Sequence, residues 1–173
     1  MRAMMRLGVA AFFALALATA ASAGGPPPPL AVFPIELWDT SGEGAKPGQA
    51  ERLQHATETL AKTLEQTGRY SIVDLTPYRE EIEKTSPRYA CNGCWKPIAE
   101  KAGAQFAALS TIHKVSSLIS SFDISITDLK TEKLVAYASG QFRGDTDEAY
   151  TRAIAFLVKD RLFSSEAAPA AAK

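Results

Sequence analysis

The chain has 173 residues, 46% hydrophobic and 22% charged, with 19 basic against 19 acidic side chains. That balance excludes a nucleic-acid binder, which would carry a strong basic excess. No block of like charges marks an interaction tail.

The first residues read as an export signal. Arg2 and Arg6 precede an uncharged apolar run, Leu7 to Ala20, and Ala21-Ser22-Ala23 supplies the small residues of a cleavage site. The run is short and alanine-rich for a membrane span, and Gly24-Gly25-Pro26 ends it. Cleavage is expected after Ala23. Residue 24 is Gly rather than Cys, so no lipid anchor on a new N-terminal cysteine is expected. The mature chain is expected in an oxidising space, a bacterial periplasm, with no membrane span. Removing Arg2 and Arg6 leaves 17 basic against 19 acidic residues, a net charge of −2. About 150 residues remain, which suits one domain with a real core.

Residues 24–29 form a Pro-rich lead-in, residues 30–163 a single α/β domain, and residues 164–173 a small-residue tail with little to pack. "LAVFPIELWD" (30–39) is rich in β-formers and reads as one buried strand. "TSGEGAKPGQ" (40–49) is a loop by its Gly, Ser and Pro content. Leu53, Ala56, Leu60 and Leu64 recur at helical spacing, with Gly68 as the stop. "RYSIVDL" (69–75) is a second strand and "YREEIEKT" (78–85) a short charged helix. Pro97 is expected at the first position of another short helix ending near Gly103.

"AQFAALSTIHKV" (104–115) predicts a long strand. Phe122, Ile124 and Ile126 alternate with Asp123, Ser125 and Thr127, as in a half-exposed strand. "KTEK" (130–133) turns the chain into a returning strand, "LVAYASGQF" (134–142). Asp145 is expected to cap a final helix, with Glu148 closing a capping box. The apolar face of that helix comprises Ala149, Ala153, Ile154, Leu157, Val158 and Leu162. The order β-α-β-α-α-β-β-β-α predicts a mixed β-sheet with helices packed on it, parallel early and antiparallel late.

The strings "AVFPIE", "GRYSIVDLT", "AGAQFAALSTIHKV" and "DISITDLKTEKLVAYASG" together resemble the TolB amino-terminal domain and its relatives, among them CsgG and the lipoprotein activators of cell-wall synthases. The resemblance spans roughly Leu30 to Leu162 and implies a TolB-amino-terminal-like fold that acts through protein contacts in the cell envelope. "FRGDTDEAYTRAIAFLV" (142–158) is more closely similar to an uncharacterised family of small secreted bacterial proteins with an R-G-(N or D)-T-D-E motif. The resemblance implies genomic company only: such members tend to occur in bacteria rich in periplasmic quinoprotein dehydrogenase systems. Neither family supplies a catalytic residue for a position here, and CNGCW is foreign to the TolB pattern.

Cys91 and Cys94, in "RYACNGCWKP" (88–97), are the two cysteines of the chain. Haem attachment needs His directly after the second Cys; Trp95 stands there. A structural zinc site needs four ligands, and His55 and His113 would have to supply the other two. Thiol exchange is favoured when the attacking thiol sits at a helix N-terminus, whereas Cys94 precedes the expected helix by a few residues. The expected reading is a local disulfide closed by the Asn92-Gly93 turn in an oxidising compartment. The chain-entropy model assigns so small a loop only about 2 kcal/mol.

"SGEGAKPGQ" lacks the G-x-x-x-x-G-K spacing of a phosphate loop, and Pro47 removes one backbone donor. Arg143, Asp145, Asp147 and Glu148 offer a possible partner or ion contact, the three acids being hard oxygen ligands, set against a plain helix start. His55 falls on the polar side of its helix, and His113 beside Lys114 lacks a companion for catalysis. Hydrolase signatures are missing from the sequence. The sequence therefore predicts a non-enzymatic periplasmic accessory protein without catalytic residues, cofactor or resident metal. It would contact a periplasmic or envelope protein, in association with a quinoprotein alcohol-oxidation system. The alternatives are a small-molecule or metal-ion carrier, using the acids around Asp145 or a cleft at the sheet edge, and a thiol-redox protein using Cys91 and Cys94.

Overall fold

The computed structural model describes residues 25–164. The expected signal peptide and nearly all of the expected tail lie outside those residues. A six-stranded mixed sheet carries the fold. Strands β1 (Pro29–Val32) and β2 (Glu36–Asp39) follow one another along the same side of β4 (Phe106–Lys114), both parallel to it. The single strand expected over residues 30–39 is thus broken at Pro34, which cannot donate to the ladder. The register slips by one residue across the break, from Val32 opposite Ala108 to Glu36 opposite Thr111. The break acts as a β-bulge and resets the alternation of side chains. Leu30 and Val32 share a core with Ile35 and Leu37, while Ala31 and Phe33 point to the other side.

Strand β3 (Ser71–Ile72) is far shorter than the expected 69–75 strand and lies parallel to β1. Val73 N still donates to Leu30 O at 3.0 Å. One residue later, Asp74 Oδ1 accepts from Thr76 N at 2.8 Å and turns the chain into a 3₁₀ turn and the short helix α2 (Arg79–Glu83). Strands β5 (Ile119–Asp128) and β6 (Leu134–Arg143) complete an antiparallel run, giving the order β3-β1-β4-β5-β6.

Helices α1 (Gln49–Gln66) and α4 (Asp147–Phe156), the latter continuing as a π-helical turn over Leu157–Leu162, cover one face of the sheet. Leu60 and Leu64 from α1 and Ile154 and Val158 from the last helix meet Leu30, Ile124 and Ile126 there. Gly140 allows this close seating, because a Cβ at that position would stand 2.9 Å from Leu157 Cδ2. Tyr150, absent from the expected apolar face, is also buried, edge-on to Phe142.

The opposite face is only half covered. Helix α2 and helix α3 (Lys96–Lys101) place Ile82, Ile98 and Ala99 over Ala31, Phe33 and Ala107. Trp95 is buried with them, edge-on to Phe33 at 6.0 Å. Helix α3 starts at Lys96, so Pro97 is its second residue rather than its first. The beginning of α4 is also corrected. Thr146 is the N-cap, its hydroxyl accepting from Ala149 N at 3.2 Å, because Asp145 is turned inward to other partners.

Candidate functional site

The uncovered half of the second sheet face forms an open cleft of about 380 Å³. Its floor is Thr111 of β4 with Asp123, Ser125 and Thr127 of β5; Tyr137 of β6 closes one side, and the segment from Arg88 to Lys96 closes the other. Beside it runs a row of aromatic rings. Trp38 lies flat on His113, with centroids 4.0 Å apart and planes 17° apart, and stacks on Tyr89 at 6.1 Å. Trp38 and Tyr89 are each 47% exposed, well above what core aromatics show. Thr40 Oγ1, 2.8 Å from His113 Nε2, fixes the imidazole under the indole. Tyr137 Oη donates to Asp123 Oδ1 at 3.0 Å. Partial burial, with the Asp123 carboxylate adding to it, holds the Tyr137 phenol above its ordinary range, so it stays a neutral donor.

A buried ion pair builds the wall. Glu36 Oε2 accepts from the backbone N–H groups of Arg88 at 2.7 Å and Tyr89 at 3.2 Å, and Oε1 accepts from Ser86 Oγ at 2.9 Å. Arg88 Nη2 lies 3.0 Å from Glu36 Oε1, and its guanidinium donates to Ile82 O and Pro34 O. Both side chains are nearly sealed from solvent. Burial draws the guanidinium below its ordinary value, and the Glu36 charge opposes that pull. One carboxylate of β2 thereby holds the whole approach to the cysteine loop. Lys96 Nζ, 2.9 Å from Glu132 Oε1, ties the other end to the β5–β6 hairpin.

The Cys91 and Cys94 sulfur atoms are 2.07 Å apart, with Cα atoms 5.8 Å apart, and Cys91 lies on the rim of the cleft. Gly93 takes the positive φ of that turn, at 82°. The helix that follows has six residues, too short to present Cys94 with much of a dipole.

The RGDTDE residues do not converge on one point. Arg143 is exposed at the end of β6. Asp145 Oδ2 meets Lys114 Nζ at 2.9 Å, and its Oδ1 accepts from Arg52 Nη1 and Tyr150 Oη, each at 3.0 Å. Asp147 Oδ1 accepts from Arg52 Nε at 3.1 Å, and Glu148 pairs with Arg152. Burial works against the Asp145 charge, but hydrogen bonds from Lys114 and Tyr150 and the charges of Lys114 and Arg52 outweigh it, leaving the carboxyl below its ordinary range. Among the described residues no group of three or more His, Cys, Asp or Glu is arranged to hold a metal ion. His55 is exposed on α1, apart from the aromatic row. The sequence signal that would have revealed that row is the alternation Glu36, Leu37, Trp38 after Pro34, together with the second aromatic at Tyr89.

A second concavity, about 700 Å³ and mainly apolar, lies between α1, β3 and α2 at the sheet edge. Val32, Ala61, Ile72, Val73, Leu75 and Ile82 line it.

These features define a mixed-sheet α+β domain with one helix-covered face and one partly open face. The same fold occurs in the LpoB C-terminal domain from Salmonella enterica (TM-score 0.50, 18% identity, 70% of this chain and 86% of that one). It occurs also in the PelC dodecamer from Paraburkholderia phytofirmans (TM-score 0.53, 14% identity, 79% and 88%). Lipoprotein GNA1162 from Neisseria meningitidis shares it (TM-score 0.50, 12% identity, 70% and 84%). The chain belongs to the DUF3280 family, described as "Protein of unknown function (DUF2380)", whose model matches residues 28–162. No curated protein matches the sequence.

Proposed function

We propose that this protein is a non-enzymatic accessory protein of the bacterial periplasm that docks another envelope or periplasmic protein on the open half of its sheet. One observation carries the reading: Trp38 and Tyr89 stand as a fixed, half-exposed aromatic row beside a polar cleft. Rigid aromatics of this kind, bordered by hydrogen-bonding groups, are the residue types that dominate protein–protein binding energy. His113 in that row leans on Thr40 and Trp38, an arrangement that orients the ring as a support. Export rests on the sequence alone. Association with a quinoprotein alcohol-oxidation system rests on the family resemblance alone, and names the first partners to look for.

The test is capture of periplasmic proteins on the purified mature chain, with cross-linking and mass spectrometry. Wild type is expected to enrich a reproducible partner, and Trp38→Ala to weaken that interaction about tenfold or more, or 1.4 kcal/mol and upward. Equal capture by wild type and Trp38→Ala would remove this face from consideration. Thiol titration with and without reductant tests the Cys91–Cys94 bridge. A Cys91→Ser, Cys94→Ser double variant that still captures the partner argues against a thiol-redox role.

The apolar cleft at the sheet edge supports a second reading, carriage of a small apolar molecule, since its volume falls within the usual range of ligand pockets. An apolar fluorescent dye should bind wild type and lose affinity about tenfold in Ala61→Phe, which fills the cleft. Dye binding unchanged by that substitution would dismiss this reading.

A further inference from the structure

We propose that β6 is a self-pairing edge, through which two copies of this chain join antiparallel into one continuous sheet about a twofold axis at Ser139. The direction of the backbone groups follows from one hydrogen bond. Gly144 N donates to Leu118 O at 3.2 Å, and Gly144 continues the register in which Arg143 faces Ile119. Hydrogen-bonded pairs alternate along an antiparallel ladder. Phe142, Gly140, Ala138 and Ala136 therefore bond to β5, while the N–H and C=O groups of Tyr137, Ser139 and Gln141 point away from the sheet. The register shift that leaves Val135 as the extra residue, between Leu134 and Ala136, ends the regular ladder on one side. The stretch Ala136–Phe142 has Ser139 at its centre. Pairing there sets Tyr137 opposite Gln141, Ala138 opposite Gly140 and Ala136 opposite Phe142.

Natural edge strands are blunted by charge, proline or shortness. β3, at the far side of the sheet, has two residues; β6 has ten, and from Leu134 to Phe142 it carries no charged residue and no proline. Its exposed apolar groups lie on both sides of the edge. Val135 and Tyr137 are 48% and 39% exposed, and Phe156 of α4 is 50% exposed. Phe156 borders a recess of about 330 Å³ between β6 and α4, whose walls include Gly140, Ala149 and Ala153 with Arg143 and Arg152. A twofold axis normal to the sheet brings the two α4 helices to the same side. Each Phe156 and its recess then border the seam, while on the other side each Tyr137 stands across from the partner's Gln141. An uncharged strand flanked by exposed apolar side chains on both sides fits a second copy better than a charged partner. The contact goes beyond the docking role of the open face, doubling that face without using Trp38.

The test is sedimentation velocity of the mature protein over a range of concentrations, with folding followed by circular dichroism. Wild type is expected to dimerise. Ser139→Pro removes only an outward N–H, a position where an edge strand tolerates proline, and is expected to be monomeric. Ser139→Lys keeps the N–H but sets like charges face to face, and is expected to be monomeric as well. An equimolar mixture of Ser139→Lys with Ser139→Asp is expected to regain the dimer. A monomeric wild type, a dimer indifferent to both substitutions, or a mixture without recovery overturns the proposal. Partner capture by the Ser139→Lys monomer separates loss of self-pairing from loss of docking.

Discussion

Asp145→Ala is expected to cost about 3 kcal/mol or more, measured by urea unfolding at neutral pH, because removing one partner of a buried pair strands the other charge. Lys114 is fully buried, and its ammonium meets Asp145 at 2.9 Å; Glu43, at 3.5 Å, is the residual partner. Arg52 and the Tyr150 hydroxyl lose their acceptor in the same substitution. Lys114→Met in the Asp145→Ala background should recover a large part of the loss, since an apolar replacement for both charges is often well tolerated. The pH dependence follows from the direction of each shift. Asp145 is held below the ordinary carboxylate range, so its contribution is present above about pH 4 and disappears as pH falls through its lowered value. Lys114, raised chiefly by its hydrogen bond to Asp145, contributes below about pH 10 and loses that contribution only as pH climbs through its raised value. The difference between wild type and Asp145→Ala should therefore narrow in acid. A difference that stays constant down to pH 2 would mean that the pair is not its source.

Glu36→Ala is expected to be the most damaging single change to the candidate site. It leaves a buried guanidinium without its carboxylate and two backbone N–H groups without their acceptor. The stability cost should be about 3–5 kcal/mol. The wall of the cleft from Ser86 to Trp95 should loosen even where the sheet survives. Hydrogen exchange would localise this: amides of Arg88 and Tyr89 should lose protection in the variant, while those of β5 keep theirs under conditions well short of global unfolding. Glu36→Gln keeps one acceptor oxygen and sets an NH2 donor in place of the other, and should fall between wild type and Glu36→Ala. Unchanged protection at Arg88 in Glu36→Ala would show that the wall is held by something else.

Much of the fold was legible in the sequence, because the signals that encode it are local. The stripe Leu53, Ala56, Leu60, Leu64 is a helix face by spacing alone, and Phe122, Ile124 and Ile126 alternate as a sheet with one apolar side requires. The π-helical turn over Leu157–Leu162 was invisible, since its residues keep an ordinary helical pattern. Asp145 looked like a cap because it stands before a helix beside an acidic turn. Its true partners, Lys114 and Arg52, are distant in the chain, and a motif read in isolation cannot name them. The aromatic row was missed for a different reason. Trp38 sits in an apolar run that reads as buried, and whether a strand's second side is covered depends on how far α2 and α3 extend over the sheet.

Pro34 gives this last point a further meaning. A strand has two sides, and every residue inserted or removed exchanges them for all that follows. Because Pro34, the extra residue between Phe33 and Ile35, is left out of the ladder, the alternation resumes on the same sides, with Leu37 in the core and Trp38 out of it. Were residue 34 seated in the ladder as an ordinary member, the same letters would bury the indole and strand the leucine in water. The binding surface is thus inherited as a matter of count: losing residue 34 would leave Trp38 opposite His113, whereas one more residue taken into the ladder there would erase the surface while leaving every one of its side chains in the sequence.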